Sequence, residues 1–152
     1  MTRYQMTIVA VDFGKKRIGL AVSDPAQKGA YPLGTIERRS ILLDLAQIES
    51  RIADRQVRRI VVGLPLSMDG SEGPIARAAR EFAARLGAHL GLPVDFQDER
   101  LSSFEADERM KSSVGRKHRK AARDAIAATV ILEGWIEAHR QVHKQVHKTD
   151  EI

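Results

Sequence analysis

The sequence predicts an α/β domain: a mixed five-stranded sheet, three antiparallel strands then two parallel ones, with helices on both faces. Three observations carry this. Strand-like runs follow one another closely near the N-terminus, Ile8 to Phe13, Ile18 to Ser23 and Tyr31 to Ile36, separated by turn-rich stretches; close spacing of this kind makes a meander. The apolar period then changes from alternation to helical spacing over residues 41–52 and again over 75–90. Each helical pattern is followed by a short run, Arg59 to Gly63 and Pro93 to Gln97, and the first of these is apolar throughout, as in strands covered on both faces.

Composition narrows the chemistry. The chain has 152 residues, enough for one domain with a real core. It contains no cysteine, which excludes disulfides and thiolate metal sites. No apolar run is long enough to span a bilayer and no signal-peptide pattern is present, so no membrane association and a cytoplasmic location are expected. The net charge of +5 and pI near 9.8 favour a polyanionic partner. With aromatics at 5%, base-stacking platforms are not indicated and phosphate contacts are.

Taken in order, the first strand ends on Asp12 and Phe13, and the carboxylate interrupts an otherwise apolar run. Such a group costs several kcal/mol unless it is hydrogen-bonded or bound to a metal. Gly14 to Arg17 forms a basic turn, and Ile18 to Ser23 returns beside the first strand. After the Pro25–Gly29 turn and the third strand, Ser40 suits an N-cap for a helix that presents Ile41, Leu45, Ile48 and Ile52 on one face, with charged residues opposite. Residues 64–74 exceed the ~2 to 6 residues usual for a strand-to-helix loop, and a loop overhanging the site would account for the excess. The next helix, Ile75 to Leu90, should turn Ile75, Ala79, Phe82, Leu86 and Leu90 toward the core. The last strand runs into Asp98 and Glu99, and Ser102 with Glu105 has capping-box spacing.

Residues 110–122 read as a basic loop that binds phosphate, with Arg109, Lys111, Arg116, Lys117, Arg119, Lys120 and Arg123 in or beside it. A final helix from Ala121 to about His139 carries Ala128, Ile131 and Trp135 on one stripe, and Asp124 lies on that same stripe. Beyond it, residues 139–152 form a polar tail with a tandem Gln-Val-His-Lys repeat. His139, His143 and His147 would share a helical face there, but the repeat reads as a solvated or disordered extension and no function is assigned to it.

In an open sheet of this order, ligands bind beyond the carboxyl ends of the parallel strands. Asp12, one of the pair Asp98 and Glu99, and Asp124 can all reach that edge. Three carboxylates sharing a pocket repel one another unless a cation neutralises them, and oxygen ligands without thiolate select hard ions, Mg²⁺ or Mn²⁺. Two such ions ~4 Å apart would activate a water and stabilise the leaving oxygen of a phosphodiester. Lys15, Lys16, Arg17 and Arg100, together with Arg116, Lys117, Arg119, Lys120 and Arg123, would hold the backbone of a nucleic acid.

Four stretches, Val11 to Asp24, Val62 to Gly70, Asp98 to Ser103 and Asp124 to Leu132, resemble in that order the four blocks of the YqgF/RuvX family. The resemblance extends to about residue 138, so that 1–138 reads as the domain and 139–152 as an addition without a family counterpart. It implies an RNase H-like fold and a nuclease acting on the 5′ end of precursor small-subunit ribosomal RNA or on Holliday junctions, as a monomer or homodimer. It also implies that Asp12, Glu99 and Asp124 are the acidic triad, and it selects Glu99 over Asp98, which strand alternation leaves open. Two other functions share some of these features. The opening hairpin resembles the phosphate loop of actin-like ATPases and sugar kinases, although a second domain would be needed. A non-catalytic ribosomal RNA-binding assembly factor would use the basic residues alone.

Overall fold

The computed structural model describes residues 6–99, 105, 106, 108, 109 and 119–150, with residues 119–121 and 141–150 described by backbone alone. The described residues form β1 (Thr7–Phe13), β2 (Arg17–Ser23), β3 (Ala30–Glu37), α1 (Ile41–Ile52), β4 (Val57–Leu64), α2 (Pro74–Leu90) and β5 (Val94–Asp98), and Glu105, Ala106, Glu108 and Arg109 are helical as well. The chain ends in α3 (Arg119–Asp150). The sheet order is β3-β2-β1-β4-β5. β1 pairs antiparallel with β2 and β2 with β3, whereas β1 with β4 and β4 with β5 are parallel. This is the mixed sheet that the pattern of the sequence requires.

Alternation along β1 divides the interior into two cores. Val9, Val11 and Phe13 join Leu45, Ile48 and Ile52 of α1 and Phe82, Ala83 and Leu86 of α2. Ile8 and Ala10 face the other way, onto Ala128, Ile131, Leu132 and Trp135 of α3. Both crossover helices thus lie on one face, as two successive right-handed connections moving in the same direction must, and α3 covers the other. Asp12, two residues on from Ala10, belongs to the α3 side.

Several boundaries and faces differ from expectation. The second helix starts at Pro74, and Ala76, Ala79, Phe82, Ala83 and Leu86 are its buried residues. Ile75 is 40% exposed rather than in the core. Alanines let α2 sit close against the sheet, which turns Ile75 outward in the first turn. Asp44 is not on the solvent face of α1 but fully buried. Its Oδ1 accepts the Arg39 backbone N–H at 2.9 Å, and the Arg38 guanidinium lies 3.5 Å from Oδ2. Arg38 also stands over the Phe13 ring at 4.5 Å and donates to the Gly14 carbonyl at 3.4 Å. It thereby ties the start of α1 to the basic turn after β1. Part of the stretch 110–122 is helical rather than looped, because α3 begins at Arg119. The α3 backbone also continues without a break through the region expected as a tail. The capping box at Ser102 lies outside the described residues.

At the far end of the sheet, Trp135 Nε1 donates to Asp95 Oδ2 at 3.1 Å, and Arg59 donates to the other oxygen at 3.1 Å. His139 stacks on the Trp135 ring with centroids 3.7 Å apart. These contacts fix the rotation of α3 about its axis, and so decide where its first turns point.

Removing the fully buried Asp44 takes away both the acceptor of the Arg39 N–H and the countercharge of the half-buried Arg38. Asp44→Ala should therefore lower stability in urea denaturation by about 3 kcal/mol, whereas Leu43→Ala, at a neighbouring exposed position, should change it by less than about 0.5 kcal/mol.

Candidate active site

Asp12 is the last inward residue of β1 on the α3 side, and glycines flank it on both neighbouring strands. On β2 its register partner is Gly19. On β4, Val62 is the partner of Val11, which brings Gly63 next to Asp12. Neither glycine is there for backbone freedom; each leaves room. A Cβ at Gly19 would lie 2.0 Å from the Asp124 carbonyl oxygen, and one at Gly63 would lie 2.9 Å from Glu99 Oε2 and 2.5 Å from Ile131 Cδ1. The first gap admits the backbone of α3, and the second admits the Glu99 carboxylate.

Glu99 follows β5 directly, and its N–H donates to the Leu64 carbonyl at the end of β4 at 3.0 Å. That bond carries the chain one residue beyond the strand and turns the side chain inward. Glu99 is only 9% exposed, while Asp98 is exposed. Asp12 and Glu99 share a side-chain hydrogen bond. Burial pushes the Asp12 carboxyl up, the hydrogen bond to Glu99 lowers it, the neighbouring Asp124 charge raises it and Arg123 lowers it, leaving it at about 6. Asp124 thus stands within electrostatic range of the pair. Its own carboxylate is turned to Arg17, whose Nε donates to Oδ2 at 2.7 Å.

The structure therefore brings Asp12, Glu99 and Asp124 to one edge, with two carboxylates touching and the third held by a guanidinium. Among the described residues, no group of three or more His, Cys, Asp or Glu side chains is arranged to hold a metal ion. The donor set nevertheless suits a hard cation: it is carboxylate oxygen throughout, and two of the groups are packed together where both cannot ionise without a countercharge.

Of the basic residues, Lys15 and Lys16 are exposed on the turn after β1 and Arg123 is exposed in the first turns of α3. Arg17 is engaged by Asp124. Arg100, Arg116 and Lys117 lie outside the described residues, as do the side chains of Arg119 and Lys120. Arg109 pairs with Glu105 at 3.0 Å and with Glu133 of α3 at 2.9 Å, so it serves the fold rather than a phosphate. Sequence reasoning missed Gly19, Gly63 and the Arg17–Asp124 contact. The two glycines were visible only as strand positions lacking a side chain, a pattern that marks close approach of another group.

A five-stranded sheet in this order, with a hydrogen-bonded carboxylate pair at the carboxyl ends of β1 and β5 and a third acid on the covering helix, defines an RNase H-like domain. A family model described as RuvX, Holliday junction resolvase, matches residues 6–138. A relative from Anaeromyxobacter dehalogenans named "Putative pre-16S rRNA nuclease" is 50% identical over 133 residues, covering 87% of this chain and 97% of the relative. One of the same name from Myxococcus xanthus is 43% identical over 136 residues, covering 89% and 90%. Among solved structures, Thermus thermophilus RuvC in complex with a Holliday junction substrate superposes with a TM-score of 0.56 at 16% identity, covering 89% of this chain and 96% of that one. The chain belongs to the RuvX (YqgF) family of nucleases.

Two outcomes follow from this geometry. The protonated form of Asp12 is the one the fold favours, so its favourable contribution is complete below the carboxyl's unfolded value and is lost as pH rises through about 6. In chelator, Asp12→Asn should gain on the wild type as pH rises from 4 to 7.5, by up to about 3 kcal/mol in thermal or urea unfolding, and added Mn²⁺ should erase the difference. Gly19→Ala drives a methyl group into helix backbone, which cannot yield as a side-chain tip can. It should cost about 2 to 3 kcal/mol in the same assay.

Proposed function

We propose that this chain is a divalent-metal-dependent endonuclease that hydrolyses phosphodiester bonds in structured nucleic acid, with 5′-end maturation of precursor 16S ribosomal RNA as its role. The observation that carries this reading is the half-buried Asp12 hydrogen-bonded to the buried Glu99, with Asp124 beside them. Acids crowded this closely suit a site built to share cations. The names of the relatives support the ribosomal substrate. The description of the family model supports Holliday junction resolution as the second reading, which in a symmetric junction calls for a homodimer making paired cuts.

In this scheme Asp12 and Asp124 ligate Mg²⁺ or Mn²⁺, and Glu99 ligates or orients the attacking water. Bound ions would supply a deprotonated water and a countercharge for the leaving oxygen. Lys15, Lys16 and Arg123, with Arg100, Arg116, Lys117, Arg119 and Lys120, hold the phosphate backbone. Residues 1–138 would form the nuclease domain and 139–152 an added segment; the family model's match to residues 6–138 supports the boundary at 138. No helix among the described residues is long and apolar enough to cross a membrane.

The test sets precursor 16S ribosomal RNA beside a four-way DNA junction, with Mg²⁺ or Mn²⁺, for the wild type and Asp12→Asn. Cleavage of the RNA at its 5′ side should fall at least about 10³-fold in the variant, with binding retained. Cleavage of the junction alone would move the assignment to resolution. Metal-supported binding of both without any cleavage would leave a ribosome assembly factor.

A further inference from the structure

The contact between Arg17 and Asp124 is not explained by the sheet, the cores or the acidic pair. Arg17 is the first residue of β2, and its backbone is held in register opposite Glu37 of β3. Only its side chain is available to move. That side chain reaches across to the first turns of α3 and donates from Nε to Asp124 Oδ2 at 2.7 Å, with 30% and 21% of the two side chains exposed. A charge-assisted bond of this length is among the stronger ones. It sequesters the carboxylate that the acidic pair lacks, and it removes from the basic turn the one side chain whose planar fork matches a phosphate. Lys15 and Lys16, directly before it, point into solvent.

We propose that Arg17 is a switch residue: it holds Asp124 while the acidic edge is metal-free, and turns to a backbone phosphate of the nucleic acid once Asp124 ligates a divalent cation. The proposal rests on the metal-dependent reading above and adds an order of events to it. Electrostatics dictates the exchange. A cation on Asp124 satisfies the carboxylate and repels the adjacent guanidinium, and a phosphate arriving beside Lys15 and Lys16 offers Arg17 a bidentate partner in place of the one it loses. Metal binding and substrate binding thus become coupled without either ligand touching the other's whole site, and coupling of this sort is reciprocal.

The experiment measures Mn²⁺ binding to the full chain by titration calorimetry without nucleic acid, for the wild type, Asp124→Asn, Arg17→Gln and Lys15→Gln. Arg17→Gln should bind Mn²⁺ about three- to fivefold more tightly than the wild type, since an ion pair of this exposure competes by roughly that factor. Lys15→Gln removes a nearby positive charge that does not touch Asp124, and should change affinity by less than about twofold. Equal tightening by both lysine and arginine variants, or none by Arg17→Gln, overturns the switch while leaving the metal site in place. Failure of the wild type to bind Mn²⁺ more tightly than Asp124→Asn overturns the metal reading itself, and the switch with it.

A second measurement does not depend on the stability of any variant in the first. Affinity for a four-way DNA junction is followed against salt concentration, with and without Ca²⁺ to fill the hard-oxygen site. Each phosphate contact adds about 0.9 to the slope of log affinity against log salt. The wild type should exceed Arg17→Gln by about one contact when Ca²⁺ is present and match it when Ca²⁺ is absent. Identical slopes in both conditions, as would follow if Arg17 merely swung to its neighbour Glu37, overturn the proposal.

Discussion

The constraint on which the rest depends is the approach of α3 to the sheet at Gly19. The carbonyl of Asp124 occupies the space where any other residue would place a Cβ, so helix and strand meet backbone to backbone. Nothing less brings a carboxylate on a covering helix to the level of one on β1. The near end of α3 is set by this missing methyl group and the far end by Trp135 on Asp95. Between them, Ile131 and Leu132 pack onto Val61 and Ile8. A helix held at both ends and along its length keeps a charged group in place at an edge where repulsion would otherwise push it away.

The acidic edge is, in energetic terms, the least comfortable part of the molecule. Asp12 titrates well above an ordinary carboxyl because burial disfavours its charge, and the Asp124 carboxylate beside it is held by the Arg17 guanidinium. The stabilising material lies elsewhere, in two apolar cores on opposite faces of the sheet and in the buried Arg38–Asp44 corner. A stiff scaffold carrying strained electrostatics is what a site needs if a cation is to bind there with a large gain. The same corner steadies the basic turn, since Arg38 holds both Asp44 and the Gly14 carbonyl.

Much of this could be read from the chain. Strand alternation and the switch to helical spacing gave the order of elements, because each strand or helix is long enough for its own period to be unambiguous. The four blocks gave the acids. Asp12 could be singled out as a carboxylate in an apolar strand, and Asp124 as an acid on an apolar stripe. What could not be read were relations across long sequence separations. Arg17 and Asp124 are 107 residues apart, and no local pattern records that they meet. Asp44 looked like a solvent-facing charge because helical phase alone does not reveal that Arg38 and the Arg39 N–H await it. Ile75 was assigned inward for the opposite reason: hydrophobicity was taken as a proxy for burial, while the alanines beside it, which permit the closest packing, gave a weaker signal. Glu99 owes its inward turn to one bond from its own N–H to Leu64, which alternation along β5 does not foresee.

The length of α3 has a mechanical consequence. At 32 residues it measures about 48 Å, against about 27 Å for the longest strands at 8 residues. Asp124 sits at the acidic edge near the start of the helix, and Arg140 donates to the Gln27 and Lys28 carbonyls at the other end, so the ten residues beyond it continue as a rod about 15 Å long. A fluorophore or tether placed on that rod would ride clear of any bound polynucleotide while still reporting the tumbling of the body to which the helix is bolted.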